Sequence, residues 1–134
     1  MIEFILVGAT LALTSGLVVA SRRRDGNFRP APGAHLTEAD LGHALGGRAT
    51  FVQFSSAVCA ACPQVHRVLD AVASANAGVT HVEVSAEERP DLVRRLGIMR
   101  TPTVLLLDRA GTITSRTTGA IRPEQALAAL GPRT

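Results

Sequence analysis

The chain has no tryptophan, no tyrosine and no lysine, and only two cysteines and four phenylalanines in 134 residues. Without Trp or Tyr it lacks the aromatic platform on which single-stranded nucleic acid stacks. All 14 basic residues are arginine, and the net charge of +3 is unevenly spread. Arg22, Arg23, Arg24 and Arg29 share one short stretch, whereas from Pro30 onward 10 arginines face 9 acids. Most of the chain is therefore close to neutral, which argues against a nucleic-acid partner. Two cysteines are too few for a disulfide-stapled scaffold or a zinc site made of cysteine alone. What is present is 46% hydrophobic residues. That is enough for the core of one domain plus a small extra segment, and too much for wholesale disorder.

Residues 4–20 (FILVGATLALTSGLVVA) carry no charge. As a helix they span about 26 Å, slightly short of a hydrocarbon core of about 30 Å, and Ile2 and Ser21 extend the run. Residues 1–21 therefore read as a single-pass membrane anchor. A cleavable signal peptide and a buried soluble helix are the alternatives. Val18 and Ala20 resemble the small residues of a cleavage site, but no positive charge precedes the apolar run, and it is longer than a usual signal core. Arg22, Arg23 and Arg24 follow the span directly. Moving charge across a bilayer is costly and anionic lipids attract it, so these arginines predict the rest of the chain on the cytoplasmic side. Residues 22–34 are basic, then rich in Gly and Pro (DGNFRPAPG), and read as a tether. The domain proper is expected over residues 35–134.

Within that domain Thr37 is a helix N-cap with acids Glu38 and Asp40 in the first turn, and the helix is expected to run to Leu45. Residues 49–55 (ATFVQFS) are rich in β-branched and aromatic residues and read as a strand. From Cys59 onward, Val65, Leu69, Val72 and Ala73 recur at helical spacing. Residues 79–85 alternate as a strand, and 87–96 read as a helix closed by Gly97. Residues 103–108 (TVLLLD) form an apolar strand covered on both faces. Ala110-Gly111 makes a hairpin into a more polar strand over 112–118, near an edge, and Pro123 opens a last helix to Leu130. Helices alternating with strands predict an α/β domain, a central mixed sheet flanked by helices.

The most informative feature is Cys59-Ala60-Ala61-Cys62, after a strand and at the start of a helix. A helix N-terminus presents unpaired N–H groups and partial positive charge, which stabilise a thiolate. A two-residue gap brings the second sulfur within bonding reach, so it can attack a mixed disulfide formed by the first. Cys59 is the expected nucleophile and Cys62 the resolving thiol. Other readings are half of a metal site, with His66 and a further ligand, and a pair of inert core cysteines.

These residues and their order resemble the thioredoxin family over residues 35–130. A strand (FVQF) leads into CAAC, then GIMRTPTVLLLD, then the DRAG hairpin, and Thr118-Gly119-Ala120 precedes the last helix. The resemblance implies a thioredoxin-like fold in which Pro102 is a cis-proline beside the cysteines. It also implies that the Thr101 backbone pairs with a bound substrate and that Gly119 lets partners approach closely. The chain departs from the family at several points. Val58 replaces the usual Trp, Ala60-Ala61 replace Gly-Pro, Arg67 replaces a helix proline, and Gln53 stands where a buried acid is usual. Glutamine does not titrate. His81 matches a basic residue that faces the acid, and reads either as a proton relay or as a structural strand histidine hydrogen-bonded to Gln53. His66 reads as a helix-surface residue.

The expected function is a membrane-tethered thiol–disulfide oxidoreductase, a monomer exchanging electrons with protein disulfide or persulfide substrates and a separate electron donor. No cofactor is required, because the sulfurs carry the two electrons. A membrane-anchored carrier of a soft metal such as Cu(I) and a redox-inactive interaction module are the alternatives.

Overall fold

A computed structural model describes residues 1–31 and 33–132. Pro32 of the expected tether and the last two residues of the expected domain lie outside the described residues. Helix α1 (Ile2–Arg24) covers the apolar run and the three arginines, and none of its residues is buried. This overturns the reading as a buried soluble helix. The helix is long and apolar enough to cross a membrane, and its place near the N-terminus also suits a signal sequence.

The folded body is a five-stranded mixed sheet. Its strands are β1 (Arg29–Pro30), β2 (Ala49–Ser55), β3 (Val79–Ser85), β4 (Thr103–Asp108) and β5 (Ile113–Thr118), in the spatial order β1-β5-β4-β2-β3. Strands β2 and β3 run parallel and the other pairs antiparallel. Helices α2 (Glu38–Leu41), α3 (Cys62–Ala75), α4 (Pro90–Leu96) and α5 (Pro123–Leu130) complete it.

Side chains alternate across a strand, so each central strand feeds two cores. Val52 and Phe54 of β2 meet Leu92 and Leu96 of α4 on one face. Ala49 and Phe51 meet Val65, Leu69 and Val72 of α3 on the other. Strand β4 is apolar on both faces because both are covered, Val104 and Leu106 towards α3, Leu105 and Leu107 towards α4. This two-layer cover is what the continuous TVLLL run predicts.

Four boundaries differ from the sequence expectation. The helix after Thr37 stops at Leu41, capped by Gly42 in the left-handed region, rather than running to Leu45. The helix after the cysteines begins at Cys62, not Cys59, and the fourth begins at Pro90, not Glu87. Both have proline in the first turn, where its missing N–H costs nothing and its fixed φ starts the helix. Strand β5 starts one residue late, at Ile113. The tether also differs. Arg29 and Pro30 pair with Arg116 and Ser115 of β5, and the Phe28 ring lies 5.9 Å from that of Phe51. The Gln125 amide donates to the Asp25 carbonyl at 3.2 Å and to Asn27 Oδ1 at 2.9 Å. A Gly/Pro-rich stretch without periodicity is still ordered when its backbone and one aromatic side chain find partners on the domain.

Helix α2 is one turn long and depends on its cap. Thr37 Oγ1 accepts from the Asp40 N–H at 3.1 Å, and Asp40 Oδ2 accepts from the Thr37 N–H at 2.8 Å. Arg95 of α4 pairs with Asp40 at 3.2 Å. The Arg95 hydrogen bond first, and the Thr37 bonds after it, hold the Asp40 carboxyl at about 2 against an ordinary 3.8. The unfolded chain takes up this proton more readily, so the stability Asp40 brings is complete above pH 3.8 and is lost as pH falls through about 2. Guanidinium unfolding in detergent should show that loss across this window, and Asp40→Asn should remove it. Thr37→Ala should cost about 1 kcal/mol at neutral pH.

Candidate active site

Strand alternation puts Ala49, Phe51 and Gln53 of β2 on the α3 face, and His81 and Glu83 of β3 beside them in parallel register, Phe51 opposite His81 and Gln53 opposite Glu83. The lower part of this face is apolar. The part under the first turn of α3 is polar. Gln53 is fully buried there, and a buried amide has to be hydrogen-bonded. Its Nε2 donates to the Cys62 carbonyl at 3.0 Å and to Ser55 Oγ at 2.9 Å. Its Oε1 lies 2.9 Å from His81 Nε2.

These bonds fix the histidine tautomer. Both amide protons of Gln53 are directed elsewhere, so Oε1 accepts and His81 Nε2 carries the proton. The His81 side chain is 3% exposed. Burial pushes its pKa below the ordinary imidazole value, the nearby His66 adds to this, and Asp70 and Glu83 oppose it. In the neutral form of this tautomer Nδ1 carries no proton, and it lies 4.0 Å from Asp70 Oδ1. The network meets Cys62 at its carbonyl oxygen, not at its sulfur, and continues through Ser55 Oγ to the Glu83 carboxylate.

Cys59 and Cys62 are joined by a disulfide, with Cα atoms 5.5 Å apart. Cys62 is buried in the first turn of α3, while Cys59 is half-buried in the turn before it, its N–H donating to the Ser56 carbonyl at 3.3 Å. Cys59 thus stands at the mouth of the helix instead of on its first turn. The Thr101–Pro102 peptide bond is cis. Its loop is tied to the cysteine loop through Thr101 Oγ1 and Ser56 Oγ, 3.0 Å apart, and to Gly119, whose N–H donates to the Pro102 carbonyl at 3.0 Å. Cys59, Cys62, Thr101, Pro102 and Gly119 are therefore drawn from three loops at one end of the sheet, with Gln53 and His81 beneath.

A cavity of about 410 Å³ opens beside the disulfide, lined among others by Cys59, Cys62, Pro63, His66, Ser55 and Glu83. His66 Nδ1 is 3.4 Å from Glu83 Oε2, which also accepts from Ser55 Oγ at 3.1 Å. The sequence reading put His66 on the helix surface and gave Glu83 no role. The helix and strand periods place both beside the cysteines: His66 is one turn after Cys62, and Glu83 adjoins Gln53. Among the described residues, no group of three or more His, Cys, Asp and Glu side chains is arranged to hold a metal ion.

A sequence model of the thioredoxin-like domain matches residues 42–132. The chain belongs to the thioredoxin-like family. Among solved structures, the chain is similar to chloroplastic thioredoxin z, at 26% identity over 63% of this chain and 77% of that one, with a TM-score of 0.57. It is also similar to thioredoxin-2 of the malaria parasite, at 16% identity over 76% of this chain and 96% of that one, with a TM-score of 0.60. A third likeness is a thioredoxin of Malassezia sympodialis, at 18% identity, 76% and 91% coverage and a TM-score of 0.52. No curated protein sequence matches the chain. The chain pairs its two cysteines beside a cis-proline, and the buried polar group beneath them is an uncharged amide.

The His81 tautomer gives a direct check. In an NMR titration of the imidazole nitrogens, neutral His81 should be the Nε2–H form and should be less than half protonated at pH 6.5, where an unperturbed imidazole is half protonated. A midpoint at or above 6.5 would contradict the burial argument. Gln53→Ala, which strands the Cys62 carbonyl and His81, should destabilise the fold by about 1–3 kcal/mol.

Proposed function

We propose that the protein is a membrane-tethered thiol–disulfide oxidoreductase acting on protein disulfides or persulfides. The observation that carries this is the Cys59–Cys62 disulfide, beside an open cavity and in the loop tied to cis-Pro102. In the dithiol state Cys59, the more exposed of the two, attacks a substrate disulfide. A Cys59–substrate bond forms, the substrate S–S bond breaks, and the leaving sulfur takes a proton. Cys62 then attacks Cys59, which closes the intramolecular disulfide and releases the reduced substrate. A separate thiol donor returns the pair to the dithiol.

Thr101 and cis-Pro102 form the surface that receives the substrate backbone, as the family likeness implies; Gly119, expected to let partners approach, is instead buried under Asp25 and joins that surface to the segment leaving α1. Gln53 and His81 hold the backbone of Cys62 in place, a positioning role, since neither bonds to a sulfur. The His66–Glu83 pair shares the cavity with both cysteines and is the nearer candidate to exchange a proton with Cys62. The apolar length of α1 supports an anchor, and the arginines at its end support a cytoplasmic domain.

In cells, Cys62→Ser should accumulate a mixed disulfide through Cys59, and Cys59→Ser should accumulate none. Trapping by neither variant, with stoichiometric Cu(I) bound by the reduced protein, would replace the enzyme with a metal carrier. Trapping by neither and no metal would leave an interaction module. With a model disulfide substrate, Glu83→Gln should slow release about tenfold or more and shift its pH profile if the carboxylate takes part, general acid–base help being worth about 10²–10⁴-fold at most. His81→Asn should leave the pH profile of release in place.

A further inference from the structure

The residues that leave α1 are fixed against the surface proposed to receive the substrate. Helix α1 runs without a break into Asp25, whose N–H bonds to the Ser21 carbonyl at 3.2 Å. Gly26 donates to the Thr118 carbonyl at 3.0 Å. It has φ +78°, and a Cβ there would meet the Ala120 carbonyl at 2.5 Å, so only glycine allows this approach. Asp25 lies against Gly119, where an added Cβ would stand 2.6 Å from the Asp25 carboxyl carbon. Gly119 is bonded to Pro102, the loop of Pro102 to Ser56, and Ser56 to Cys59. Direct contacts thus run from the last turn of α1 to the redox cysteine. At up to about 7 Å per contact step and less across the cis bond, these contacts keep Cys59 within about 30 Å of Asp25.

Charge and exposure agree with a redox face turned towards lipid. Arg24, Arg29, Arg100 and Arg116, with Leu17 and Ala20 of α1, line a cavity of about 550 Å³ between the last two turns of α1 and the sheet. Arginines at the end of a span lie level with the lipid phosphates and are attracted to anionic headgroups. Arg100, in the loop before the cis-proline, pairs with Asp25 at 3.6 Å. The loops around the disulfide also bare two large apolar side chains, Val58 at 92% exposure beside Cys59 and Met99 at 91% just before Arg100. Exposed apolar side chains beside the cysteine suit a substrate segment that is itself apolar.

We infer that the substrate is a disulfide on a membrane protein, held within about 30 Å of the bilayer surface on the segment that leaves the lipid. This rests on the redox reading above and gives that site its substrate class. The pinned segment at residues 25–30 sets the orientation, where a free tether would let the domain sample all directions.

The test uses the full chain with Cys62→Ser, in nanodiscs of phosphatidylcholine and phosphatidylglycerol. The probe is a lipid-anchored peptide disulfide raised on a polyproline spacer of about 3 or about 20 residues, roughly 10 or 60 Å. The same peptide free in solution is the control. Cys59 thiolate displaces one substrate sulfur, the Cys59–peptide disulfide forms, and the other half leaves as a thiol. The short-spacer peptide should be trapped about tenfold faster than the long one, through a higher effective concentration at the site. A flexible Gly/Ser insertion of about 20 residues between Arg24 and Asp25 adds about 25 Å of reach and leaves residues 25–30 on the domain. It should bring the two rates within about twofold while leaving the rate with free peptide unchanged. Equal rates for short and long spacers in the uninserted chain would overturn the inference while the redox reading stands. So would a preference that survives the insertion. No trapping even of the free peptide would remove the redox reading and the inference with it.

Discussion

The amide of Gln53 is the tie on which the rest of the site depends. It joins the central strand to the first turn of α3 through the Cys62 carbonyl, and it joins the neighbouring strand through His81. A glutamine buried to this degree is destabilising unless all its bonds are made. Here they are made only when strand, helix start and imidazole keep one arrangement. The buried sulfur of the pair is therefore held by a fixed frame, and the half-buried one stands in a turn that hydrogen bonds to Ser56 and Thr101 define. A carboxylic acid in the same place would bring a charge that changes with pH. The amide carries no such charge and donates to the Cys62 carbonyl where a carboxylate has no proton to give, and burial lowers the pKa of its histidine partner.

Much of this was legible in the chain. Strands β2, β3 and β4 fall where alternation and β-branched residues put them, because a strand covered by helices has to show its apolar faces locally. The cysteine spacing and the Thr-Pro pair are local signals for a thioredoxin-like redox domain. The helix starts were less legible. Cysteine and alanine at 59–61 do not distinguish a tight turn from a first helical turn, and Pro63 and Pro90 mark the true starts only when read as first-turn residues. Other features could not be seen at all. Asp25 meets Gly119, and Arg29 pairs with Arg116, across most of the length of the chain. Nothing local in a Gly/Pro-rich stretch announces a distant partner. The His66–Glu83 pair was hidden for a milder reason, since it appears only when the helical and strand periods are laid over each other.

The way the chain leaves α1 gives the architecture a second use. Backbone pairing with β5, the Phe28–Phe51 contact and two bonds from Gln125 fix residues 25–30 on the body. The apolar helix and the redox loops are thereby parts of one rigid outline, not two modules on a string. No one of these contacts is strong. An exposed pair such as Arg100–Asp25 adds at most about 1 kcal/mol, but together they remove the rotational freedom a free linker would have.

The two-residue β1 also closes one margin of the sheet. Its proline has no N–H to offer, so a neighbouring chain finds no ladder to extend on that side. Copies meeting edge to edge at high local density are in the situation most prone to strand-by-strand polymerisation. A short, proline-ended border is a structural answer to that hazard, supplied by the same stretch that fixes the domain to the helix.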